Sequence, residues 1–289
     1  MRLTKLHPAI YIIYYMILII FAFLINDPFY LISFLICLII LIILQGISRE
    51  FKNMIKFFIP ISLLIIIINP LVSHIGITKL FIIGNYYITM ESLMYGILLS
   101  ISLLIVLTIF LCYNNTVSYQ EMLYIFSKKF LNISMIIIMA MRFIPLLHYR
   151  WKEVNKLYKF NNIRGNGNYK ESKIEQIKNT AHVLSVVISW SLEESMVAAK
   201  SMKARGYGIT NRTNYLYFKF KRIDFYILVI IISCFLISLT GIFYGYGRIE
   251  IYPQVLVSYE NLINIFYLSF LILLLPIIYI EIKEKLLWI

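Results

Sequence analysis

The sequence predicts an all-α, polytopic membrane protein with about six transmembrane helices and long amphipathic cytoplasmic helices between them. Three observations carry this. The chain of 289 residues is 61% hydrophobic and only 14% charged, against roughly 45–50% apolar and about 25% charged in soluble domains. Its apolar residues fall in runs of near-bilayer length. Its formal charge of +13 is concentrated between those runs, as the positive-inside rule requires of cytoplasmic loops.

Met1 to Pro8 carries Arg2 and Lys5, and Ala9 to Ile25 is unbroken apolar sequence. This first span has the basic start of a signal peptide but no small-residue cleavage site, so a retained helix is expected. Asn26-Asp27-Pro28 reads as a turn, and Phe29 to Leu44 as the returning second span. Arg49, Lys52 and Lys56 outweigh Glu50 and place the next connection in the cytoplasm. The third span is Phe57 to Val72, where Asn69-Pro70 implies a kink near the far end. Ser73 to Ser92 carries only Lys79 and Glu91 as charges and suits the outer face, with a short interfacial helix as one option. Leu93 to Cys112 is the fourth span, and Tyr113 to Phe130 returns to the cytoplasm.

Leu131 to Leu147 is interrupted by Arg142 and Pro145, and it is read as re-entrant or lying along the inner surface. From Tyr149 to Arg222 there are fifteen Lys/Arg against five Asp/Glu, and placing such a segment outside would reverse the charge rule. Helical patterning covers Arg150 to Asn161, Glu171 to about Ser189, and Trp190 to Arg205. Ser191, Ser195, Ala198 and Ala199 are small residues on neighbouring turns that would let two helices cross closely. Two further spans, Phe225 to Phe243 and Leu262 to Ile280, flank an outer loop, and the C-terminal E-I-K-E-K-L-L-W-I is read as cytoplasmic. The chain is thus divided into 1–112 (four spans), 113–223 (cytoplasmic coupling region) and 224–289 (two spans).

The centre of that middle region is A-A-K-S-M-K-A-R-G-Y-G, Ala198 to Gly208. Gly206 and Gly208 supply the left-handed backbone of a helix end, and Arg205 offsets the negative end of the helix dipole while pointing five donors forward. Arg164-Gly165 repeats the ending upstream. A helix cap with a favourable basic residue explains either copy alone; two copies in one basic segment also fit a pair of docking points.

No catalytic, cofactor or metal site is legible. The chain has no Ser-His-Asp order, nucleophile elbow, phosphate loop or dinucleotide fingerprint, and His7, His74, His148 and His182 stand apart. Cys37, Cys112 and Cys234 sit in separate apolar runs and read as small buried hydrophobes. A membrane-bound enzyme acting on lipid or prenyl phosphates is the alternative, with the basic segment as its anionic-substrate site. It would need clustered carboxylates for a metal, whereas Glu153, Glu171, Glu175, Glu193 and Glu194 look scattered among lysines. Nucleic-acid binding would rest on charge alone, with no recognition module. The spans carry almost no ionisable residues, so a transport role would require partners.

The chain resembles the transmembrane T component family of energy-coupling factor (ECF) transporters. The resemblance rests on L-H-P (Leu6 to Pro8), N-P-L followed by S-H-x-G-x-T (Asn69 to Thr78), I-T-x-E-x-x-x-Y-G (Ile88 to Gly96), R-F-I-P (Arg142 to Pro145) and S-M-K-A-R-G-Y-G (Ser201 to Gly208). It implies a scaffold in the bacterial plasma membrane whose coupling helices end in two Ala-Arg-Gly motifs. Each motif would dock on one of two ABC-type ATPase subunits, while a separate substrate-binding integral membrane subunit takes up a vitamin or metal ion. By that resemblance Ala204, Arg205 and Gly206 form one docking motif and Arg164 with Gly165 the other. Ile163 stands where the first motif is expected to have alanine, which puts a bulkier residue at a close-packed contact.

Overall fold

The computed structural model describes residues 6–73, 76–83, 86–129, 131–165, 173–209, 220–249 and 264–287. Their elements, in order, are α1 (Pro8–Leu24), α2 (Pro28–Gln45), α3 (Ser48–Val72), β1 (Lys79–Ile83), β2 (Tyr86–Thr89), α4 (Met90–Thr116), α5 (Tyr119–Lys129), α6 (Leu131–Gly165), α7 (Lys173–Ala204), α8 (Arg222–Phe243) and α9 (Ile265–Leu287). The chain divides into two compact units, Met1–Met122 with Phe218–Ile289, and Leu123–Tyr217.

The first unit is a helical bundle whose ends are set by local chemistry. His7 Nδ1 accepts from Ala9 N at 3.2 Å and Pro8 opens α1. Asp27 Oδ1 accepts from Phe29 N at 2.9 Å and Pro28 opens α2. Each proline stands where its missing N–H costs nothing. Gly247 O accepts from Asn26 N and Asp27 N at 3.1 and 3.2 Å, so the turn expected at Asn26-Asp27-Pro28 is held against the end of α8. Inside, α1 and α2 bury one stripe each, and Phe21, Phe34 and Phe270 meet edge to face at 5.4–5.7 Å between ring centres, the geometry aromatic quadrupoles favour. Phe270, Leu273 and Leu274 of α9 are fully enclosed, so the last helix is part of the core. Their opposite faces stay apolar and exposed, as with Phe23, Ile36, Phe57 and Ile67, which is what lipid rather than water would solvate.

Among the described residues six helices are long and apolar enough to cross a membrane: Pro28–Gln45, Ser48–Val72, Met90–Thr116, Ile133–Tyr158, Arg222–Phe243 and Ile265–Lys283. The chain is an α-helical polytopic membrane protein. This set is not the expected six. At 17 residues α1 is shorter than the others, stopped by the Asn-Asp-Pro turn. The stretch read as interrupted by Arg142 and Pro145 is instead part of one 35-residue helix with Pro145 inside it. A re-entrant path needs a chain reversal, and an unbroken helix has none; a proline deletes one hydrogen bond, which the turns on either side survive. α3 runs through Pro70 to Val72, the end expected for the third span.

The interfacial helix considered for Ser73 to Ser92 is a short antiparallel pair, β1 with β2, registered Lys79 with Thr89 and Ile83 with Tyr86. β-branched and aromatic residues on both sides of Gly84-Asn85 favour strands. The pair is anchored to α4 by Glu91, which accepts from Ile77 N (3.3 Å), Thr78 N (3.2 Å) and Thr78 Oγ1 (2.8 Å). Asn69 Nδ2 donates to Ser92 O at 3.2 Å, and a Cβ on Gly96 would lie 3.3 Å from Ile66 Cα. The N-P-L, G-x-T and T-x-E-x-x-x-Y-G residues therefore form one knot between α3, the strand pair and α4.

The last helix continues past Ile280, the end expected from the sequence, into the C-terminal segment. α9 runs to Leu287, and Glu281 is buried, accepting from Gln45 Nε2 at 3.3 Å. Gln45 Nε2 also donates to Thr116 Oγ1 at 2.9 Å, which is 3.0 Å from Tyr15 Oη. α1, α2, α4 and α9 thus share a polar cluster that the charged pattern of the tail concealed.

Candidate docking helices

α6 and α7 make up most of the second unit and pack antiparallel. Tyr158 donates to Asn179 Oδ1 at 3.1 Å, Arg150 pairs with Glu194 at 3.0 Å, and Tyr207 just beyond α7 reaches Met135 Sδ at 2.7 Å near the start of α6. The sequence supplies the seam. Along α7 the residues turned inward are Asn179, Val183, Val186, Val187, Ser191, Glu194, Ala198 and Met202, and along α6 they include Phe143, Leu147, Arg150, Val154 and Tyr158. Spacings of three and four keep one narrow stripe facing a partner helix. Of the small residues expected at a crossing, Ser191 and Ala198 lie on this seam. Ser195 and Ala199 are exposed, on the flank of the helix rather than on the seam.

The motif at Arg205 closes α7. Tyr207 N donates to Met202 O at 3.1 Å and Gly206 N to Lys203 O at 3.0 Å, the paired 6→1 and 5→2 bonds of a Schellman ending. Gly206 takes φ +77° and Gly208 φ +94°, as their place in the sequence predicts. Arg205 is the residue before the left-handed one. Its side chain is exposed, as is Ala204, and Gly206 is half-buried. Two orphan carbonyls at this end are satisfied by backbone, so the guanidinium is free of that task and points to solvent. Gly165 is the last residue of α6; the side chain of Arg164 lies outside the described residues.

Because the helices run antiparallel, the two Arg-Gly endings are at opposite ends of the pair. α7 has 32 residues, which at about 1.5 Å each gives a separation of about 48 Å. The structure does not bring Arg164 and Arg205 together; it places them at opposite ends of the helix pair.

Between the ends lies an open cleft of about 660 Å³ lined by Leu146, Tyr149, Arg150 and Glu153 of α6 and Trp190, Glu193, Glu194 and Val197 of α7. The Arg150 guanidinium bonds Glu194 and sits 5.6 Å from the centre of the Trp190 ring. Of the acidic residues read as scattered, Glu153, Glu193 and Glu194 line this cleft, Glu175 is elsewhere on α7, and Glu171 is outside the described residues. Which carboxylates meet depends on the relative rotation of two helices, and no signal within either one reveals it.

The described residues thus form a helical bundle in one unit and, in the other, an antiparallel helix pair with an Arg-Gly ending at each extremity. A family model described as CbiQ, cobalt transport protein, matches residues 2–215, and the chain belongs to that family. It is therefore a membrane component of a transport system. No match was found among curated proteins. The matched region ends before α8, so the two helices that complete the bundle core lie beyond it.

Proposed function

We propose that this chain is the membrane scaffold subunit of an ECF-type importer in a bacterial plasma membrane, a non-enzymatic part that transmits ATP hydrolysis by two ABC-type ATPases. The vitamin or metal ion would enter through a separate substrate-binding membrane subunit. The observation that supports this best is the α6–α7 pair, with one Arg-Gly ending at each extremity and Arg205 exposed on a Schellman cap. Two like motifs about 48 Å apart suit two copies of one partner, whereas a single anionic substrate would need its cations converged. The apolar first half of α6 is long enough to span. If it did, α7 and its lysines would face outward, so charge distribution favours the whole pair on the cytoplasmic side.

The test is the Arg164→Ala/Arg205→Ala double variant. Loss of a helix-end charge costs about 0.3–1 kcal/mol of local stability, whereas truncating one partner of a buried interfacial charge pair costs about 2–5 kcal/mol. The docking role requires the inserted, folded double variant to lose ATPase in pull-down and to lose substrate uptake. Unchanged pull-down and uptake would reduce both endings to caps.

A further inference from the structure

We propose that the helical bundle binds one water molecule beneath the Asn26-Asp27-Pro28 turn, bridging the Tyr30 hydroxyl of α2 to the Ser238 hydroxyl of α8. The site lies wholly within one compact unit and is independent of the scaffold reading above. Its α8 half falls outside the residues that the family model matches.

Two buried hydroxyls here are mismatched in opposite senses. Ser269 Oγ donates to Phe266 O at 2.8 Å, which uses the one proton a hydroxyl carries. In the 2.9 Å contact between Ser238 and Ser269 the Ser269 oxygen therefore accepts and Ser238 donates. Ser238 Oγ, 5% exposed, keeps its lone pairs with no donor among the described residues. Tyr30 has the converse deficit. It is 4% exposed, and its hydroxyl has no hydrogen-bond partner among the described residues. Buried polar groups in native structures are almost always satisfied, by protein or by ordered water.

A cavity joins the two. Tyr30 and Ser238 both line a space of about 10 Å³ among α1, α2, α8 and α9, at the lower limit for holding a water. The rest of its wall is mainly the rings of Phe21, Phe266 and Phe270 with Ile25 and Ile242. A purely apolar cavity stays dry, but one donor and one acceptor give a buried water the two partners that it needs at minimum. The water accepts from Tyr30 Oη and donates to Ser238 Oγ, so both deficits are met at once. No larger ligand fits the volume, and a metal ion would find hydroxyls but no carboxylate in the wall. Ile25 precedes the turn and Tyr30 follows it, so the cavity lies close under the end of the bundle, a short way from bulk water.

The test uses the full chain in lipid nanodiscs and turns on a sign. Deleting an unsatisfied hydroxyl removes a burial penalty and stabilises, whereas deleting one that binds water leaves the water with a single partner. Tyr30→Phe is therefore expected to lower the thermal midpoint by about 2 °C or more. A double-mutant cycle of Tyr30→Phe with Ser238→Ala is expected to be non-additive although the two hydroxyls share no direct bond, because either change alone removes the water. Ser238→Ala also breaks the bond to Ser269, a loss common to both arms that the cycle subtracts. A density map of the wild-type chain fine enough to show waters should hold a peak about 2.7–2.8 Å from both oxygens, missing in Tyr30→Phe. An unchanged or raised midpoint in Tyr30→Phe, additive losses in the cycle, or no peak in such a map would overturn the proposal.

Discussion

Arg150 of α6 and Glu194 of α7 pair at 3.0 Å across the middle of the antiparallel helices, with the guanidinium also over the Trp190 ring at 5.6 Å. Their side chains are 26% and 36% exposed, so water screens the ion pair and its coupling energy should stay below about 1 kcal/mol. Arg150→Ala loses both contacts and Glu194→Ala only one. Thermal unfolding in detergent should therefore show the larger drop for Arg150→Ala, and a double-mutant cycle should return a coupling within that bound. Equal losses would mean that the ring contact contributes nothing.

At Gly206 the left-handed φ of +77° is what a side chain disfavours, since an added Cβ would meet only Ile209 Cδ1, at 3.4 Å. Gly206→Ala should cost about 1–2 kcal/mol locally. It should unwind the cap and so misdirect Arg205, weakening ATPase pull-down while leaving the protein's thermal midpoint nearly unchanged. Gly206→Asn should be milder, because asparagine tolerates this region.

In the bundle the sign of the effect is steric. A Cβ on Gly241 would come within 2.6 Å of the Phe266 side chain, and the neighbouring Ser238 and Ser269 hydroxyls bond across α8 and α9 at 2.9 Å. Gly241→Ala should cost about 1–3 kcal/mol by overpacking, read as a lower unfolding temperature. Adding Phe266→Ala, which removes Cγ and Cδ1 but keeps Cβ, should recover part of it.

Glu91→Ala would strand the donors of Ile77 and Thr78 that the carboxylate now satisfies, at about 1–3 kcal/mol. Amide exchange at those two residues should quicken in the variant, and Glu91→Gln, which keeps an acceptor, should fall between. Unaltered exchange would show that the strand pair holds without its anchor.

The proposed orientation puts position 168 in the cytoplasm and position 247 outside. In intact cells a membrane-impermeant maleimide should label a cysteine placed at Gly247 and leave one at Asn168 unlabelled. The reverse pattern would mean that α6 crosses.

What could be read in the residues, and what could not, follows from the range of each signal. Asn26-Asp27-Pro28 and Arg205-Gly206 act within a few residues of themselves, so a turn and a cap were legible at once. The apolar runs marked the bundle helices for the same reason. Pro145 was misleading because a proline reports only its own missing bond, while the helix around it is held from either side and by α7. Gly84-Asn85 between β-branched and aromatic runs was a usable hairpin signal that the interfacial-helix option passed over. Glu281 looked like tail because its neighbours are charged; its burial depends on Gln45, more than two hundred residues away. Of the docking motifs, Arg205 stands at an exposed cap as its glycines imply, and the opposed placement of the two endings came only from the antiparallel pairing.

That opposition has a mechanical consequence. A rod of two interlocked helices resists stretching, because its length is fixed by about 1.5 Å per residue of hydrogen-bonded backbone. Two bodies gripping its tips cannot alter their spacing by extending it. Their approach or retreat must appear as tilt, or as pivoting at the tips, where Gly206 and Gly208 leave the backbone freest to turn. The pair would behave as a strut of constant span, turning a change in distance between its holders into a change of angle.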